Sequence, residues 1–446
     1  MQSKKQTRVS KEGAYIFVMN INHSQLYEHI MKTRNNTLLF KSTSEKSKST
    51  YSKTRKIGFA GILTIIVASL LFVGCKDSGT NNKEEPERLD PAAEYSFDGP
   101  VFDISATGNG TILVADMGTV REIDANGVSQ ITDLPLVEGA GAFGEPEITF
   151  INGLLPVGDG GFYASRSSLD LAVGSGLLFS DGTSTELTAD IEAFIMGEWP
   201  KGEPGHAPPW KNFNCEPPGG YSAAPYSNPY NLVSLSNDEI LLADAGANSL
   251  LNIDANGNIE VVATFSPIIS PETGEPLIQF PLDEETNCPV EPVPTGVAVG
   301  PDGAYYVGEL VGSTAENFGG QPSPEGIASI WRIEPGSRNV VCPSADCTKA
   351  VTGLNTVIDL EFGPDDRLYV VEFERSGFLA AVAPDLEIPL AGGTIKQCNV
   401  AANSCEIIEG ADGNLLLPGA ITFDSGDNLW LLENVFSPTI RSIEWQ

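Results

Sequence analysis

The sequence has 446 residues, of which 41% are hydrophobic, and a formal net charge of −33 at pH 7. The charge is uneven: residues 1–56 carry twelve Lys/Arg against three Asp/Glu, which leaves 14 basic and 56 acidic residues in the rest. So large an acidic excess argues against nucleic acid or anionic lipid as the partner of the main body, and favours a solubilising surface or a cation-binding role.

The basic leader, residues 1–56, precedes an uncharged apolar segment, residues 57–75, which has the length of a signal core and is borderline for a membrane span. Translation could instead begin at Met31. The segment ends in Phe72-Val73-Gly74-Cys75, which resembles a bacterial lipobox with Cys75 as the lipidated residue. Residues 76–92 are polar and typical of a flexible tether. We expect a lipoprotein anchored in a bacterial membrane, at the outer membrane or cell surface; an uncleaved signal anchor is the alternative.

A repeated unit occupies the remainder of the chain, residues 93–446. Each copy contains a strand, a tight turn and a second apolar strand, and most copies add a third strand with a polar turn. The six copies are FDISATGNGTILVAD (102–116), INGLLPVGDGGFYASR (151–166), YNLVSLSNDEILLAD (230–244), TGVAVGPDGAYYVGE (295–309), VIDLEFGPDDRLYVVE (357–372) and GAITFDSGDNLWLLE (419–433).

Six copies of a short-stranded unit predict an all-β fold, a six-bladed β-propeller, in which radial repetition protects the sheet edges. A solenoid is the second possibility, although no capping helices are visible. The last copy is one strand short, and residues 93–97 could supply that strand and join the two ends. Before the third copy, the spacing of Leu187, Ile191 and Phe194 predicts a helix that buries these side chains.

The repeats resemble NHL-type six-bladed propellers. More specifically, SNPYNLVSLSNDEILLADAGANSLLNIDANGNIEVVATF, VPTGVAVGPDGAYYVGEL and GLNTVIDLEFGPDDRLYVVEF are similar to segments of the ScyD/ScyE family, named for scytonemin-biosynthesis clusters. The resemblance covers about residues 95–446. It implies an exported six-bladed propeller and supplies no catalytic residues.

The first strands of the blades line the central channel of a propeller. Taking the equivalent position in each of the six copies gives one residue per blade at the mouth of this channel. Three of these positions are polar, Asp103, Asn231 and Asp359, and the other three are Gly153, Gly296 and Ala420. Two carboxylates and one amide could hold Ca²⁺ weakly through oxygen ligands. The alternative is that these side chains cap loops by bonding backbone amides.

An acidic residue closes the second strand of five copies, which predicts a ring formed by Asp116, Asp244, Glu309, Glu372 and Glu433. Arg166 takes the equivalent place in the second copy. Such regularity favours a hydrogen bond repeated within each blade, with a cation- or ligand-binding rim as the alternative. The Pro- and Gly-rich insertion 197–230 could form a lid over one face or simply pack against the disc, and its candidate residues are Trp199, His206, Trp210, Tyr221 and Tyr226.

Six cysteines follow Cys75, an even number that suggests disulfides in an exported chain. We expect the pairs Cys342–Cys347 and Cys398–Cys405, each within its own blade, and Cys215–Cys288 across the third blade. Zinc is the alternative, but the CxxC spacing is missing and His206 is the one histidine after the leader.

Two functions remain open. The first is a lipid-anchored, monomeric binding or scaffold module for a protein or small-molecule ligand, with no catalytic residues. The second is a Ca²⁺-dependent, lactonase-like hydrolase, which needs only carboxylates and amides around the metal. GAGAFG at 139–144 matches a nucleotide-binding pattern, but Pro146 follows it and no helix opens there.

Overall fold

The six repeats fold into six antiparallel sheets arranged as a six-bladed β-propeller. The computed structural model describes residues 88–135, 138–140, 146–158, 160–167, 174–197, 227–235, 239–283 and 286–445. The second strand of a blade is mostly apolar up to its last residue and is largely buried, as in Leu368–Glu372, because it has a neighbouring blade on both sides. Such strands are continuous hydrophobic runs rather than alternating ones.

The strands, in chain order, are β1 (Glu94–Ser96), β2 (Val101–Ala106), β3 (Ile112–Asp116), β4 (Thr119–Asp124), β5 (Gly127–Asp133), β6 (Glu138–Ala140), β7 (Pro146–Ile148), β8 (Phe150–Val157), β9 (Gly161–Ser167), β10 (Gly176–Ser180), β11 (Thr185–Ala189), β12 (Pro229–Leu235), β13 (Glu239–Asp244), β14 (Ser249–Ile253), β15 (Ile259–Phe265), β16 (Ile278–Asp283), β17 (Thr286–Pro289), β18 (Pro294–Val299), β19 (Tyr305–Glu309), β20 (Ala328–Ile333), β21 (Val340–Cys342), β22 (Cys347–Leu354), β23 (Val357–Phe362), β24 (Leu368–Glu372), β25 (Thr394–Asn399), β26 (Ser404–Glu409), β27 (Ala420–Phe423), β28 (Leu429–Glu433) and β29 (Thr439–Ile443). The described helices are α1 (Ile191–Gly197), α2 (Ala315–Phe318), α3 (Phe378–Val382) and two 3₁₀ turns, Pro384–Leu386 and Val400–Ala402.

From the channel outwards, blade 1 is β2-β3-β4-β5, blade 2 is β8-β9-β10-β11 and blade 3 is β12-β13-β14-β15. Blade 4 is β18-β19-β20-β22, blade 5 is β23-β24-β25-β26 and blade 6 is β27-β28-β29-β1. Apolar side chains fill the spaces between blades; Leu250 of blade 3, for example, shares a cluster with Val307 and Trp331 of blade 4.

The N-terminal strand completes the last blade, as the sequence predicted. β1 pairs antiparallel with β29, so that Tyr95 lies opposite Ile440 and its ring lies 6.2 Å from that of Trp430. Leu89, just before it, is buried in the same apolar cluster. The first and last parts of the propeller are therefore held in one sheet.

The two faces of the propeller differ. Long connections 310–327, 373–393 and 410–419 leave the ends of second and fourth strands on one side, which we call the insertion face. Short turns such as 107–111, 300–304 and 424–428 lie on the other side, the turn face.

Two details differ from the sequence prediction. Leu187 lies on strand β11 and is 49% exposed, so the helix begins later, at Ile191, whose side chain is buried. The connection inside blade 4 contributes β21, which pairs in parallel with β15 and extends the sheet of blade 3 to five strands. Within the described part of the chain no helix is long and apolar enough to cross a membrane, and residues 57–75 lie outside that part.

Candidate functional site

Asn231 and Asp359, two of the three predicted channel residues, are in direct contact. Asn231 Nδ2 donates a hydrogen bond of 2.6 Å to Asp359 Oδ1. The two residues belong to blades 3 and 5, so the contact spans blade 4, whose residue at this level is Gly296. A Cβ atom at Gly296 would lie 3.0 Å from the Asp359 backbone, and the glycine therefore lets neighbouring inner strands approach closely.

Both channel aspartates reach the first strand of the following blade. Asp103 Oδ2 accepts a 2.7 Å hydrogen bond from the Leu154 backbone N–H, and Asp359 Oδ2 accepts one of 2.9 Å from the Ile421 N–H. Both aspartates are buried. Each acid thus joins two blades at the channel, which is a form of the backbone capping that the sequence offered as the alternative to metal binding.

Three further polar residues, which the repeat pattern did not indicate, lie in the same part of the channel. Glu361 follows Asp359 by two positions along β23 and accepts hydrogen bonds from the Thr422 hydroxyl and the Phe423 N–H. Tyr230 is partly buried, and the charges of Asp103 and Asp359 act on its side chain. Because side chains alternate along a strand, Glu361 and Thr422 could have been found two residues beyond the positions chosen by equal spacing.

Burial and crowding of like charges favour the protonated carboxyls. Burial raises the pKa of Asp359 to about 6, against the opposing hydrogen bonds from Ile421, Leu360 and Asn231. Burial and then the charge of Asp359 raise the pKa of Glu361 to about 8, and the same two causes raise the pKa of Asp103 well above its usual value. Burial also raises the pKa of Tyr230. At neutral pH a carboxyl with a pKa of about 8, such as that of Glu361, is mostly protonated and can donate a hydrogen bond, whereas Asp359 is mostly ionised.

The acids of the predicted ring bond mainly to side chains of their own blades. In four blades the acid ending the second strand contacts a donor on the third strand, two residues beyond the directly opposite position. These pairs are Asp116 with Arg121 (2.6 Å), Glu309 with Trp331 (2.6 Å), Glu372 with Lys396 (2.9 Å) and Glu433 with Arg441 (2.8 Å). The contacts are those of a repeated link between strands.

Blades 2 and 3 have leucine where the other blades have the donor, and their ring residues bond elsewhere. Asp244 is fully buried and accepts hydrogen bonds from the Ser227 hydroxyl (2.7 Å) and the Asn228 N–H (2.8 Å). Arg166 of blade 2 donates to the carbonyls of Gly174 (2.6 Å) and Pro135 (2.8 Å). Both residues therefore fasten connections on the insertion face.

The structure contains two of the expected disulfides. Cys398 and Cys405 lie directly opposite each other on β25 and β26 and are bonded within blade 5. Cys342 and Cys347 are also bonded, but Cys342 lies on β21 in the sheet of blade 3 and Cys347 lies on β22 in blade 4. The expectation that this bond stays within one blade is wrong, because β21 leaves its own blade.

Other predicted residues lie outside the described part of the chain: Cys75, Trp199, His206, Trp210, Cys215, Tyr221 and Tyr226. The backbone of Cys288 lies on β17, but its side chain is not described, so the pairing with Cys215 stays a prediction. Among the described residues, no three His, Cys, Asp or Glu side chains are grouped so that they could hold a metal ion.

The class of protein defined by this fold is the six-bladed β-propeller. No protein-family model and no curated protein matches the sequence. Similar solved structures include a protein of unknown function from Bacteroides thetaiotaomicron, with 9% identity and a TM-score of 0.44. The match covers 80% of this chain and 73% of that protein's chain. They also include a streptogramin B lyase, with 12% identity and a TM-score of 0.37 over 78% of this chain and 96% of that one. A chain of a nidogen/laminin complex has 12% identity and a TM-score of 0.39 over 72% of this chain and 85% of that one. These similarities are too distant to indicate a function.

Proposed function

We propose that this chain is an exported, lipid-anchored propeller of the ScyD/ScyE type that acts as a binding or scaffold module through its insertion face. The observation that carries the proposal is the difference between the two faces. Long connections such as 310–327 and 373–393 lie on the insertion face, whereas the described chain begins at the turn face. Loops supported by a rigid scaffold are common binding elements.

The position of residue 88 supports this orientation. Arg88 Nη1 lies 3.6 Å from the place that a Cβ atom would take at Gly426, in a tight turn of the turn face. β1 then runs towards the insertion face, since Glu94 lies opposite Arg441 and Ser96 lies opposite Thr439. Residues 76–87 would separate a lipid at Cys75 from Arg88 at the turn face, and these 12 residues reach at most about 40 Å. The insertion face would point away from the membrane.

The two disulfides support export, because such bonds persist in oxidising compartments and are rare in the bacterial cytosol. The anchor itself is tested by Cys75→Ala. We expect this variant to accumulate as a larger precursor, with Cys215→Ala as the control that is processed normally. A membrane-bound form whose size does not respond to Cys75→Ala would replace the lipoprotein by a signal-anchored protein.

The binding role is tested by photo-crosslinking in the native membrane. A photoreactive amino acid replaces Leu390 on the insertion face or, as a control of similar exposure, Val128 next to a turn of the turn face; the two side chains are 53% and 43% exposed. We expect defined crosslinked products from position 390 alone. Equal products from both positions, or products from position 128 alone, would overturn the proposed binding face.

A Ca²⁺-dependent hydrolase is the second candidate, favoured by the contact of Asn231 with Asp359. Asp103, Asp359 and Glu361 are not grouped as a metal site by themselves, so the ion would need other oxygen ligands as well. If Ca²⁺ binds there, calorimetry at physiological salt should show heat that Asp103→Asn together with Asp359→Asn abolishes. No specific heat from the wild type, or equal binding by the double variant, would leave these residues with the interblade contacts alone.

A further inference from the structure

Four connections of the insertion face, 310–327, 373–393, 410–419 and 434–438, are joined to one another by backbone hydrogen bonds. Each bond links two neighbouring connections, and the three donor and acceptor pairs are Ser323 N–H to Ser376 (2.9 Å), Gly393 N–H to Leu415 (2.7 Å) and Val435 N–H to Leu417 (3.1 Å). We call the four connections the insertion layer. It belongs to blades 4, 5 and 6, and its parts hold one another in place before any partner arrives.

Partly exposed apolar side chains run across the insertion layer. The connections 310–327 and 373–393 share a small apolar cluster of their own, and Phe378 belongs both to that cluster and to the propeller core. Leu390 and Leu416 are 53% and 44% exposed. The half-buried members are Phe318, Val382 and Leu386 in the small cluster, and Ala381, Leu417 and Phe436 against the core. We call these nine residues the apolar surface of the insertion layer.

The charged side chains exposed on the same layer are acidic. The five exposed carboxyls are Glu316, Glu325, Asp385, Glu387 and Asp412. They lie close to the apolar surface along the chain, since Glu316 precedes Phe318 by two positions and Asp385 and Glu387 flank Leu386. A partner that covers the apolar surface therefore meets negative charge at its edges.

Basic side chains nearby are already engaged. Arg375 is the one basic residue of the layer, and its guanidinium donates to the carbonyls of Ala391 and Gly392. The basic side chains towards the insertion face in blades 5 and 6 are paired with acids of their strands: Lys396 with Glu372 at 2.9 Å, and Arg441 with Glu433 at 2.8 Å. The negative charge of the layer is thus available to a partner that carries cations.

These features select the kind of partner. Anionic lipid and nucleic acid would be repelled by the exposed acids. An extended peptide adds to an open sheet edge, whereas the layer consists of loops and the short helical segments α2, α3 and Pro384–Leu386. An amphipathic helix carries an apolar face flanked by charged side chains, so one basic helix can contact the apolar surface and the acids together.

We propose that the apolar surface of the insertion layer docks a basic amphipathic helix of a partner protein. This inference rests on the proposed binding role of the insertion face, and it names the chemistry of the partner. Leu390 and Leu416 contribute apolar area that is buried on docking, and Asp385 and Glu387 attract lysine and arginine side chains at the edge of the contact. Docking is non-covalent.

The test uses the full chain in nanodiscs of zwitterionic lipid and the fluorescence anisotropy of a labelled probe peptide, with empty nanodiscs as the blank. The probe is a helical peptide of lysine, alanine and leucine, about 18 residues or five turns long, with its leucines on one face. We expect saturable binding above the blank. A peptide with glutamate in place of every lysine, and one with the same composition but leucines all round the helix, should each bind at least tenfold more weakly.

Two pairs of substitutions locate the contact on the insertion layer. Leu390→Ser with Leu416→Ser removes exposed apolar area, and Asp385→Lys with Glu387→Lys reverses two charges. Each pair should weaken probe binding at least tenfold with an unchanged melting temperature, because all four side chains are exposed.

Matched pairs on the outer strands serve as controls. Val128→Ser with Leu187→Ser removes exposed apolar area elsewhere, and Glu186→Lys with Glu406→Lys makes the same change of net charge. Both control pairs should bind the probe as the wild type does, since they leave the insertion layer intact.

Several results would overturn the proposal: equal binding of the basic and acidic peptides, equal binding of the two leucine arrangements, or the absence of saturable binding above the blank. Binding that survives both insertion-layer pairs would do the same, and so would an equal loss in the control pairs, which would indicate general charge attraction. Native crosslinks from position 390 to a partner segment without basic residues would still support the binding face while rejecting the basic helix.

Discussion

Single side chains link the second and third strands of the blades, and the residue at one position depends on the residue at the other. Where the third strand offers Arg121, Trp331, Lys396 or Arg441, the second strand ends in an acid that contacts it. In blade 3 the third strand has Leu251 at this position, and Asp244 bonds a connection instead. The pairs are diagonal neighbours in antiparallel sheets, where side chains of this length can reach each other.

Burial determines how much each of these pairs contributes to stability. Glu372 is fully buried beside Lys396, whereas the side chains of Glu433 and Arg441 are 29% and 24% exposed. Lys396→Met should lower the free energy of unfolding by about 3 kcal/mol, because it leaves a buried carboxylate without its cation. The matched variant Arg441→Met should cost less than about 1 kcal/mol. Urea denaturation measures both values, and equal losses would contradict the dependence on burial.

The sequence revealed one side of these contacts. The acids were visible because they end similar apolar strands, as in ILVAD and LYVVE. Their donors were not, because Arg, Trp and Lys share a position and not a chemical type. Glu361 was missed for a related reason: the spacing argument selected one residue in each inner strand, whereas two alternate residues of the same strand face the channel.

At the scale of elements, the short strand β1 completes blade 6 and so closes the propeller. It contributes three backbone pairs, the contact of Tyr95 with Trp430 and, just upstream, the buried Leu89. A chain that begins at residue 98 should melt about 5 °C or more below a chain that begins at residue 88, because it loses this apolar burial and exposes β29. Both chains lack the proposed anchor, which makes the comparison matched. Coincident thermal transitions would show that closure does not depend on β1.

The strand β21 links blades 3 and 4, and its disulfide fixes that link. Replacing Cys342 and Cys347 by alanine should cost roughly 2 kcal/mol by chain entropy, and so should replacing Cys398 and Cys405, since both loops are short. The two double variants should differ in hydrogen exchange. The first should speed exchange of the amides in β21 and in 263–265, its partners in β15. Unchanged protection there would show that β21 docks without the covalent link.

The repeats predicted the blades and the closing strand, because both depend on local patterns: an apolar run, a turn and a missing fourth strand. The path of β21 could not be predicted in this way, since its partner β15 lies some 75 residues upstream in a different blade. Leu187 was misplaced because TELTADIEAF fits both a strand followed by a helix and one continuous helix. Contacts across the sheet decide between these alternatives, and they are not visible in a short window of sequence.

At the scale of the whole molecule, buried acids with raised pKa values determine how the folding stability should change with pH near neutrality. Burial raises the pKa of Glu291 to about 7, and it also raises that of Glu309 to about 7. The pKa is about 6 for Asp359 and about 8 for Glu361. All four carboxyls therefore hold protons in the folded chain at pH values where the same groups of the unfolded chain have lost them.

The sign of the pH dependence follows from this difference. A carboxyl with a raised pKa binds more protons when folded, so its contribution is fully present below its ordinary value near 4.5 and is lost as pH rises through the folded value. Exposed aspartates with lowered pKa values, such as Asp254 and Asp412, act in the opposite direction, but only below about pH 4. Stability should therefore be highest near pH 5 and should fall towards pH 8.

Denaturant unfolding at pH 5, 6, 7 and 8 measures this fall, and Glu361→Gln assigns part of it to the channel. The neutral amide keeps the size of the protonated side chain, so the variant should lose less stability than the wild type between pH 6 and pH 8. Glu260→Gln, at an exposed acid paired with Arg338 on the surface, is the control that should leave the slope unchanged. A wild-type stability that is flat or rises from pH 5 to pH 8 would mean that the channel carboxyls are ionised in the folded protein. A compensating cation would then have to lie beside Asp359 and Glu361.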